Sequence, residues 1–130
     1  MGAPVQPRLQ GMDHEAYYES RVPRAARIKA LSHAGLGALP DGYFDLIYLD
    51  AGHTYDDVSR DLEVSARKLS ADGLIVCNDY TPFDQTDGVA GGPYGVIQAV
   101  NEFVASGGWE VFGFALEKHG FHDIALRRHQ

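Results

Sequence analysis

The feature that most constrains this chain is a pair of short apolar runs, each of which ends in an aspartate. Residues 44–49 read FDLIYL and are followed by Asp50. Residues 74–77 read LIVC and are followed by Asn78 and Asp79. Continuous rather than alternating apolar runs are typical of strands that are covered on both faces, as in parallel sheets. We therefore predict two neighbouring parallel strands with acids at their carboxyl ends.

An amphipathic helix is predicted between these two strands, over residues 55–69. Thr54 is a candidate N-cap for this helix. The apolar positions recur at helical spacing and are Val58, Leu62, Ala66 and Leu69. The charged positions between them are Asp57, Arg60, Asp61, Arg67 and Lys68. Because a strand, a helix and a second strand follow one another, we predict a right-handed β-α-β unit.

The remaining segments extend this α/β pattern. Residues 81–94 form a long glycine-rich loop, which we interpret as a mobile lid over the acidic strand ends. A second amphipathic helix is predicted over residues 95–106. The runs WEVFGFAL and FHDIALRR are separated only by EKHG, which predicts an antiparallel hairpin. We expect residues 1–12 to be a flexible arm and residues 13–130 to be a single domain.

Charge and composition argue against several classes of partner. The formal net charge is −7, which disfavours binding to a nucleic-acid backbone or to an anionic membrane surface. No apolar run approaches the ~20 residues that are needed to span a bilayer. Cys77 is the only cysteine, so an intramolecular disulfide is not possible. We therefore expect a cytoplasmic protein that binds neither nucleic acid nor membranes.

Asp50, Asn78 and Asp79 are candidate metal ligands. Neighbouring parallel strands lie ~4.8 Å apart, and open parallel sheets bind their ligands outside the carboxyl ends of the strands. The three side chains are then expected to converge at one edge, where two carboxylates and an amide oxygen suit Mg²⁺ or another divalent cation. The alternative is structural, with Asp50 capping the next helix and Asp79 beginning a turn.

His53 and two tyrosines lie close to these acids in the sequence. His53 is a candidate general base at neutral pH, or else a polar group that is satisfied at a helix N-terminus. Tyr55 and Tyr80 are candidates for the wall of an aromatic pocket, and the alternative is ordinary packing. Phosphate binding by GVAGGPYG is less favoured, because Pro93 lacks an amide donor and no Gly-Lys-Ser/Thr motif is present.

Four short motifs carry a resemblance to a known family. They are LDAGHTY at the end of the first apolar run, ADG before the second run, NDY at its end, and GVIQAVNEF in the last helix. With these motifs, residues 39–128 resemble the C-terminal half of a class I S-adenosylmethionine-dependent methyltransferase. The most similar group is that of the small-molecule methyltransferases with an Asp-Gly-x-His-x-Tyr type motif.

The resemblance implies an α/β fold with a partial Rossmann-like sheet. Its four strands correspond to strands 4-5-7-6 of the family, the last strand is antiparallel, and helices flank the sheet. The resemblance also implies S-adenosylmethionine as the cofactor. In metal-dependent relatives, acids at the matching strand ends hold Mg²⁺, which carries over to Asp50, Asp79 and Asn78.

The resemblance also bears on the base and on the pocket. Some relatives carry a second acid at the position of Gly52, and its replacement leaves His53 or a water as the candidate base. We assign Gly52, Tyr55 and Tyr80 to the substrate and cofactor pocket.

The N-terminal part departs from the family pattern. Residues 1–43 contain neither the glycine-rich loop nor the acid that hold the cofactor in the family, so the chain is expected to begin near the end of the third strand. The strand at residues 44–50 is then an apolar edge. We expect this edge to be covered by the N-terminal segment or by a second copy in an antiparallel homodimer.

Three hypotheses about function follow. The leading one is a methyltransferase-like protein that acts on a small molecule, with a divalent cation assisting O-methyl transfer. The second is a non-catalytic oligomerising or binding domain that has lost its cofactor site. The third is a divalent-metal-dependent hydrolase that uses Asp50 and Asp79.

Overall fold

Four helices and four strands make up the part of the chain that the structure describes, which is residues 14–22, 24–82 and 94–130 of a computed structural model. The helices are α1 (His14–Arg21), α2 (Ser32–Gly37), α3 (Tyr55–Lys68) and α4 (Val96–Ala105). The strands are β1 (Phe44–Leu49), β2 (Leu69–Tyr80), β3 (Trp109–Ala115) and β4 (His122–Arg128). The predicted arm and most of the predicted glycine-rich lid lie outside the described residues. None of the described helices has the length and apolar content needed to cross a membrane.

The strands form one sheet in the order β1-β2-β4-β3. β1 and β2 are parallel, and β4 is antiparallel to both of its neighbours, β2 and β3. This arrangement confirms the predicted α/β fold, because the strand order corresponds to 4-5-7-6 with an antiparallel last strand. The β-α-β unit and the hairpin are also present as predicted.

The core lies between one face of the sheet and the helices α3 and α4, which pack against each other. Its buried members are Ile47, Val58, Leu62, Leu69, Ile75, Cys77, Val96, Ala99, Val100, Ile124 and Leu126. Full burial of each larger aliphatic side chain contributes about 1.5–3 kcal/mol to folding. Thr54 caps α3 as predicted, since its Oγ1 accepts the N–H of Asp57 at 3.2 Å.

Two charged residues of α3 are buried, although the helical pattern placed them on its polar side. Asp61 is 3% exposed and Lys68 is 6% exposed. The cause is α2, which packs against α3 on that side. Ser32 Oγ contacts both carboxylate oxygens of Asp61 at 2.8 and 2.9 Å, and Lys68 Nζ lies 2.5 Å from Asp41 Oδ1. Because buried charges need partners, these contacts fix α2 and the loop after it on α3.

The opposite face of the sheet is open in the described part of the chain. Leu46 and Tyr48 of β1 are 59% and 51% exposed, and Phe112 of β3 is 53% exposed. The prediction that β1 is covered on both faces is therefore wrong for the face that carries Leu46 and Tyr48. The helices α3 and α4 both pack on the opposite face. β1 is an edge strand as expected, and within the described ranges neither α1 nor any other segment pairs with its outer side.

Candidate metal and substrate site

A β-bulge shapes the carboxyl end of β2. Cys77 pairs with Ile124 of β4, and Tyr80 pairs with His122, so that three steps along β2 match only two steps along β4. The extra residue is Asp79, whose φ of 58° is the only positive value of a non-glycine residue in the described ranges. Bulges of this kind re-aim side chains and are common beside functional sites. Here the bulge places both Cys77 and Tyr80 on the helical side of the sheet, although residues three apart in a regular strand point to opposite faces.

The bulge brings Asp79 to His53 and to Asp50, which follows β1. His53 Nε2 lies 3.2 Å from Asp79 Oδ2 and 3.7 Å from Asp50 Oδ1. One ligand atom from each of the three residues lies within 4.8 Å of the others. His53 Nε2 is buried and has no hydrogen-bond partner among the described residues. The sequence prediction that Asp50 and Asp79 meet at one edge thus agrees with the geometry, and His53 joins them.

The ring of His53 is held in place by the segment that precedes α4. Tyr94 stacks on it, with ring centroids 4.6 Å apart and an interplanar angle of 21°. The backbone N–H of Gly95 donates to the carbonyl of His53 at 2.7 Å. A Cβ at Gly95 would come within 2.3 Å of the backbone nitrogen of Tyr55, so only glycine allows this approach. Packing therefore orients the imidazole towards the two acids.

The electrostatics of the site favour a cation. Burial raises the pKa of Asp79, and the negative charges of Asp50 and Asp123 raise it further, while His53 acts in the opposite direction. Burial also raises the pKa of Tyr94, and Asp79 and Asp50 add to this shift. Both shifts show that additional negative charge is unfavourable here. A bound positive charge would relieve that cost.

Asn78, the third predicted ligand, lies on the open face of the sheet. Its Nδ2 donates to Asp123 Oδ1 at 2.9 Å and to the Tyr48 hydroxyl at 3.1 Å. The Tyr48 hydroxyl in turn donates to Asp123 Oδ2 at 2.8 Å. Burial, followed by this bond to Asp123, raises the pKa of Tyr48. Asn78 is thus joined to a network of its own beside the acidic cluster.

The three predicted pocket residues have separate surroundings. Gly52 lies so close to the side chain of Asp57 that a Cβ at residue 52 would come within 2.3 Å of Asp57 Oδ2. The Tyr55 hydroxyl donates to Glu102 of α4 in a short hydrogen bond. The Tyr80 hydroxyl donates to Asn101 of α4 at 2.6 Å. Both phenols are therefore engaged with the helical layer.

A small cavity adjoins the cluster. It has a volume of about 10 Å³, and Leu49, Gly52, His53 and Cys77 are among its lining residues. This volume corresponds to roughly one water molecule. This cavity therefore has room for a water or an ion.

Three residues of the site were missed by the sequence interpretation: Tyr48, Tyr94 and Asp123. Tyr48 lies near the carboxyl end of β1, two residues before Asp50, and this position at the strand end is a signal that could have found it. Asp123 is the only acid within the run FHDIALRR. Tyr94 is the last residue of the predicted glycine-rich loop, and no sequence signal links it to His53.

The comparison with protein families identifies the class of protein. Residues 8–80 match the family of methyltransferase domains. This match takes in more than half of the chain, and the chain therefore belongs to that family, as the motifs predicted. No curated protein matches the sequence.

Solved structures share the fold. A protein from Corynebacterium glutamicum has a TM-score of 0.60 at 13% identity, over 89% of this chain and 55% of its own. A protein described as a type 11 methyltransferase from Sulfolobus solfataricus has a TM-score of 0.60 at 15% identity, over 88% and 64%. A TehB-like SAM-dependent methyltransferase from C. glutamicum has a TM-score of 0.50 at 21% identity, over 87% and 61%. At these identities the likeness shows the fold alone, and the chain spans 55% to 64% of the length of these structures.

Proposed function

We propose that this chain is an S-adenosylmethionine-dependent methyltransferase-like domain that acts on a small molecule, with a divalent cation on Asp50, His53 and Asp79. Membership of the methyltransferase domain family supports the reaction class and favours it over the hydrolase alternative. The single observation that supports the cation is the position of His53 Nε2, which is buried between two carboxylates and has no hydrogen-bond partner in the described part of the chain.

The donor set fits a divalent cation and suggests which kind. Two carboxylates and an imidazole nitrogen suit Mn²⁺ or Zn²⁺, whereas Mg²⁺ prefers oxygen ligands alone. Imidazole binds a metal through an unprotonated nitrogen, and His53 Nε2 has no competing hydrogen bond. We therefore propose His53 as a ligand rather than as a general base.

A divalent cation held by Asp50, His53 and Asp79 would orient a substrate hydroxyl and lower its pKa, so that its oxygen could attack the sulfonium methyl of S-adenosylmethionine with departure of the thioether. Asp50 and Asp79 supply the negative charge that holds the cation, and Tyr94 keeps the imidazole in position by stacking. S-adenosylmethionine does not fit the small cavity beside the cluster. We thus propose that Asp50, His53 and Asp79 bind the cation and, through it, the substrate oxygen. We assign none of these residues a contact with the cofactor.

Calorimetric titration of the chelator-treated protein with Mn²⁺ tests the cation site. Wild-type protein should bind saturably, and Asp79→Asn should lose most of the affinity. Asp56→Asn is the matched control, because Asp56 is an exposed acid in the first turn of α3 that is not part of the cluster. Equal Mn²⁺ affinity in all three proteins would contradict the proposal.

Titration with S-adenosylmethionine in the presence of Mn²⁺ then tests the reaction class. Saturable binding supports methyl transfer. No binding at millimolar cofactor favours the second hypothesis, a non-catalytic binding or oligomerising domain.

We also propose that β1 pairs with β1 of a second copy. The outer edge of β1 is unpaired in the described chain, and its exposed side chains Leu46 and Tyr48 are apolar or aromatic. A parallel arrangement in register would bring Asp45 and Asp50 next to their own copies, which is unfavourable. A two-fold axis makes the pairing antiparallel and avoids this repulsion.

The geometry of a two-fold axis restricts the register. Residues that face each other across antiparallel strands lie on the same face of the sheet, so one residue of β1 must face its own copy. With Ile47 on the axis, Leu46 faces Tyr48 of the second copy, which is an apolar–aromatic pair. With Tyr48 on the axis, this apolar–aromatic pair is lost and Leu46 faces Asp50, whereas with Ile47 on the axis Asp50 faces Phe44 at the start of the strand. The first register is therefore the one that we propose.

A further inference from the structure

Three side chains from three different strands are joined at the carboxyl end of β2, on the open face of the sheet. Asp123 of β4 accepts hydrogen bonds from Asn78 at 2.9 Å and from Tyr48 at 2.8 Å, one on each carboxylate oxygen. Asn78 also donates to the Tyr48 hydroxyl at 3.1 Å. Because β4 is antiparallel to β2, the first residues of β4 lie at the edge where β1 and β2 end. The network is thus built beside the acidic cluster.

The network permits one orientation of the Asn78 amide. An ionised carboxylate only accepts hydrogen bonds, so the Asn78 atom that faces Asp123 must be the amide nitrogen. Both protons of that nitrogen are engaged, one by Asp123 and one by Tyr48. The only group that the side chain of Asn78 can offer to a further ligand is its Oδ1.

The network also bears on Asp79, because Asn78 and Asp79 are the two residues of the bulge between Cys77 and Tyr80. Cys77 is buried on the helical side, and Tyr80 is bonded to Asn101 of α4, so both ends of the bulge face the helices. Asn78 is held on the opposite face by Asp123. With three positions fixed, Asp79 is left in the left-handed conformation that aims its carboxylate at His53.

We propose that Asp123 is a positioning residue of the cation site. By holding Asn78 on the open face, it maintains the bulge that places Asp79 within 3.2 Å of His53. Asp123 acts on Asp79 through the peptide that links Asn78 to Asp79, and its negative charge also adds to the raised pKa of Asp79. The effect of Asp123 on metal affinity rests on the proposed function. The effect of Asp123 on the bulge does not, since it is present without metal.

The test compares wild-type protein with Asp123→Ala and with a matched control, Glu110→Ala. Glu110 of β3 also bridges to β4, since Arg127 Nε donates to its Oε1 at 2.6 Å. Arg127 lies at the opposite end of β4 from Asp123. Both substitutions remove a carboxylate that bridges strands, so both are expected to lower the melting temperature. Only Asp123→Ala should disturb the bulge.

Two measurements are made on each protein. In ¹H–¹⁵N spectra of the metal-free proteins, Asp123→Ala should shift the side-chain amide of Asn78 and the backbone amides of Asp79 and His53, and Glu110→Ala should leave them unchanged. In Mn²⁺ titrations, Asp123→Ala should raise the Kd about tenfold or more, as loss of a group that supports a metal ligand does. Asp123→Asn, which keeps one acceptor oxygen, should give a smaller change and serves if Asp123→Ala does not fold.

The outcomes separate this inference from the proposed function. Unshifted Asp79 and His53 resonances in Asp123→Ala, or an unchanged Mn²⁺ Kd in a wild-type protein that binds the metal, would overturn the positioning role. Shifted resonances in a protein that never binds Mn²⁺ would support the positioning role and overturn the cation site.

Discussion

Nε2 of His53 lies 3.2 Å from Oδ2 of Asp79, yet it makes no hydrogen bond within the described residues. A buried polar atom without a partner costs about 1–3 kcal/mol, so natural sequences keep such atoms mainly where a ligand uses them. Asp50 flanks the same nitrogen at 3.7 Å. Under the proposed function, a bound cation would give this nitrogen and both carboxylates a common partner.

The backbone of Asp79 allows its charge and its conformation to be tested separately. Its φ of 58° suits Gly, Asn and Asp, and it is unfavourable for residues with other side chains. We predict that Asp79→Ala is less stable than Asp79→Gly by about 1 kcal/mol or more, and that Asp79→Asn is close to Asp79→Gly. Urea unfolding of the three metal-free variants measures this. Equal stability of Asp79→Ala and Asp79→Gly would show that the strained conformation is not retained.

Burial of Asp61 predicts a pH-dependent stability. Burial raises the pKa of Asp61, and the hydrogen bond from Ser32 and the charge of His33 only partly oppose this shift. The folded state therefore holds the proton more tightly than the unfolded state, and stability is lost as the pH rises through the folded pKa. Asp61→Asn keeps an acceptor for Ser32 and cannot ionise. It should match wild-type stability near pH 3.5 and exceed it at pH 7.

Thermal unfolding of both proteins between pH 3.5 and pH 7 measures this difference. Titration of the other acids affects both proteins equally and cancels in the comparison. If the difference in stability between the two proteins stays constant from pH 3.5 to pH 7, ionisation of Asp61 does not destabilise the folded protein.

The approach of Gly95 to α3 predicts a large effect of one methyl group. A Cβ at Gly95 would come within 2.3 Å of the backbone nitrogen of Tyr55, and backbone atoms cannot move aside cheaply. Gly95→Ala should destabilise the protein by about 1–3 kcal/mol and weaken Mn²⁺ binding, because Gly95 also holds the carbonyl of His53. Chemical unfolding and metal titration give both quantities.

Gly37→Ala is the matched control for Gly95→Ala. No atom lies within 4 Å of a Cβ placed at Gly37, which is in α2. Because alanine favours helix over glycine, this substitution should be neutral or stabilise the protein by up to about 1 kcal/mol. A similar loss of stability in both variants would argue against the close approach as the cause.

The proposed register of the β1 dimer predicts a specific pattern of crosslinks. With Ile47 on the two-fold axis, a mixture of Leu46→Cys and Tyr48→Cys proteins should form a mixed disulfide dimer, and neither protein alone should do so. Leu116→Cys is the exposed control. The native Cys77 does not interfere, since it is buried and burial raises its pKa to about 12.

Gel electrophoresis without reductant distinguishes the alternatives. Crosslinking of Leu46→Cys or of Tyr48→Cys alone would place that residue on the axis and replace the proposed register. Crosslinking at or below the Leu116→Cys level in every sample would contradict pairing through β1.

Local sequence patterns were sufficient for the elements and for the class of sheet. The β-α-β unit follows from two continuous apolar runs with a segment of helical periodicity between them. The hairpin follows from a short polar connection between the last two strand-like runs. The capping role of Thr54 also follows from sequence, because a cap acts on the next three residues only. These features depend on residues that are close together in the sequence, so they can be predicted from the sequence alone.

The sequence also placed Asp50 and Asp79 at one edge, because parallel neighbouring strands bring their carboxyl ends together. It did not predict the conformation of Asp79. Alternation along a strand already places Asn78 and Asp79 on opposite faces, but the left-handed φ of Asp79 belongs to a bulge. The bulge exists only through the pairing of β2 with β4, some 45 residues away as the Asn78–Asp123 contact shows.

The burial of Asp61 and Lys68 was likewise decided by tertiary structure. Helical periodicity describes one buried face, and the packing of α2 on α3 creates a second. The sequence by itself thus determined the order of elements, the sheet and the two acids. The sequence also placed His53 beside Asp50, but only the tertiary structure decided that His53 meets Asp79 and that Tyr94 and Asp123 join the site, because these contacts link segments distant in the chain.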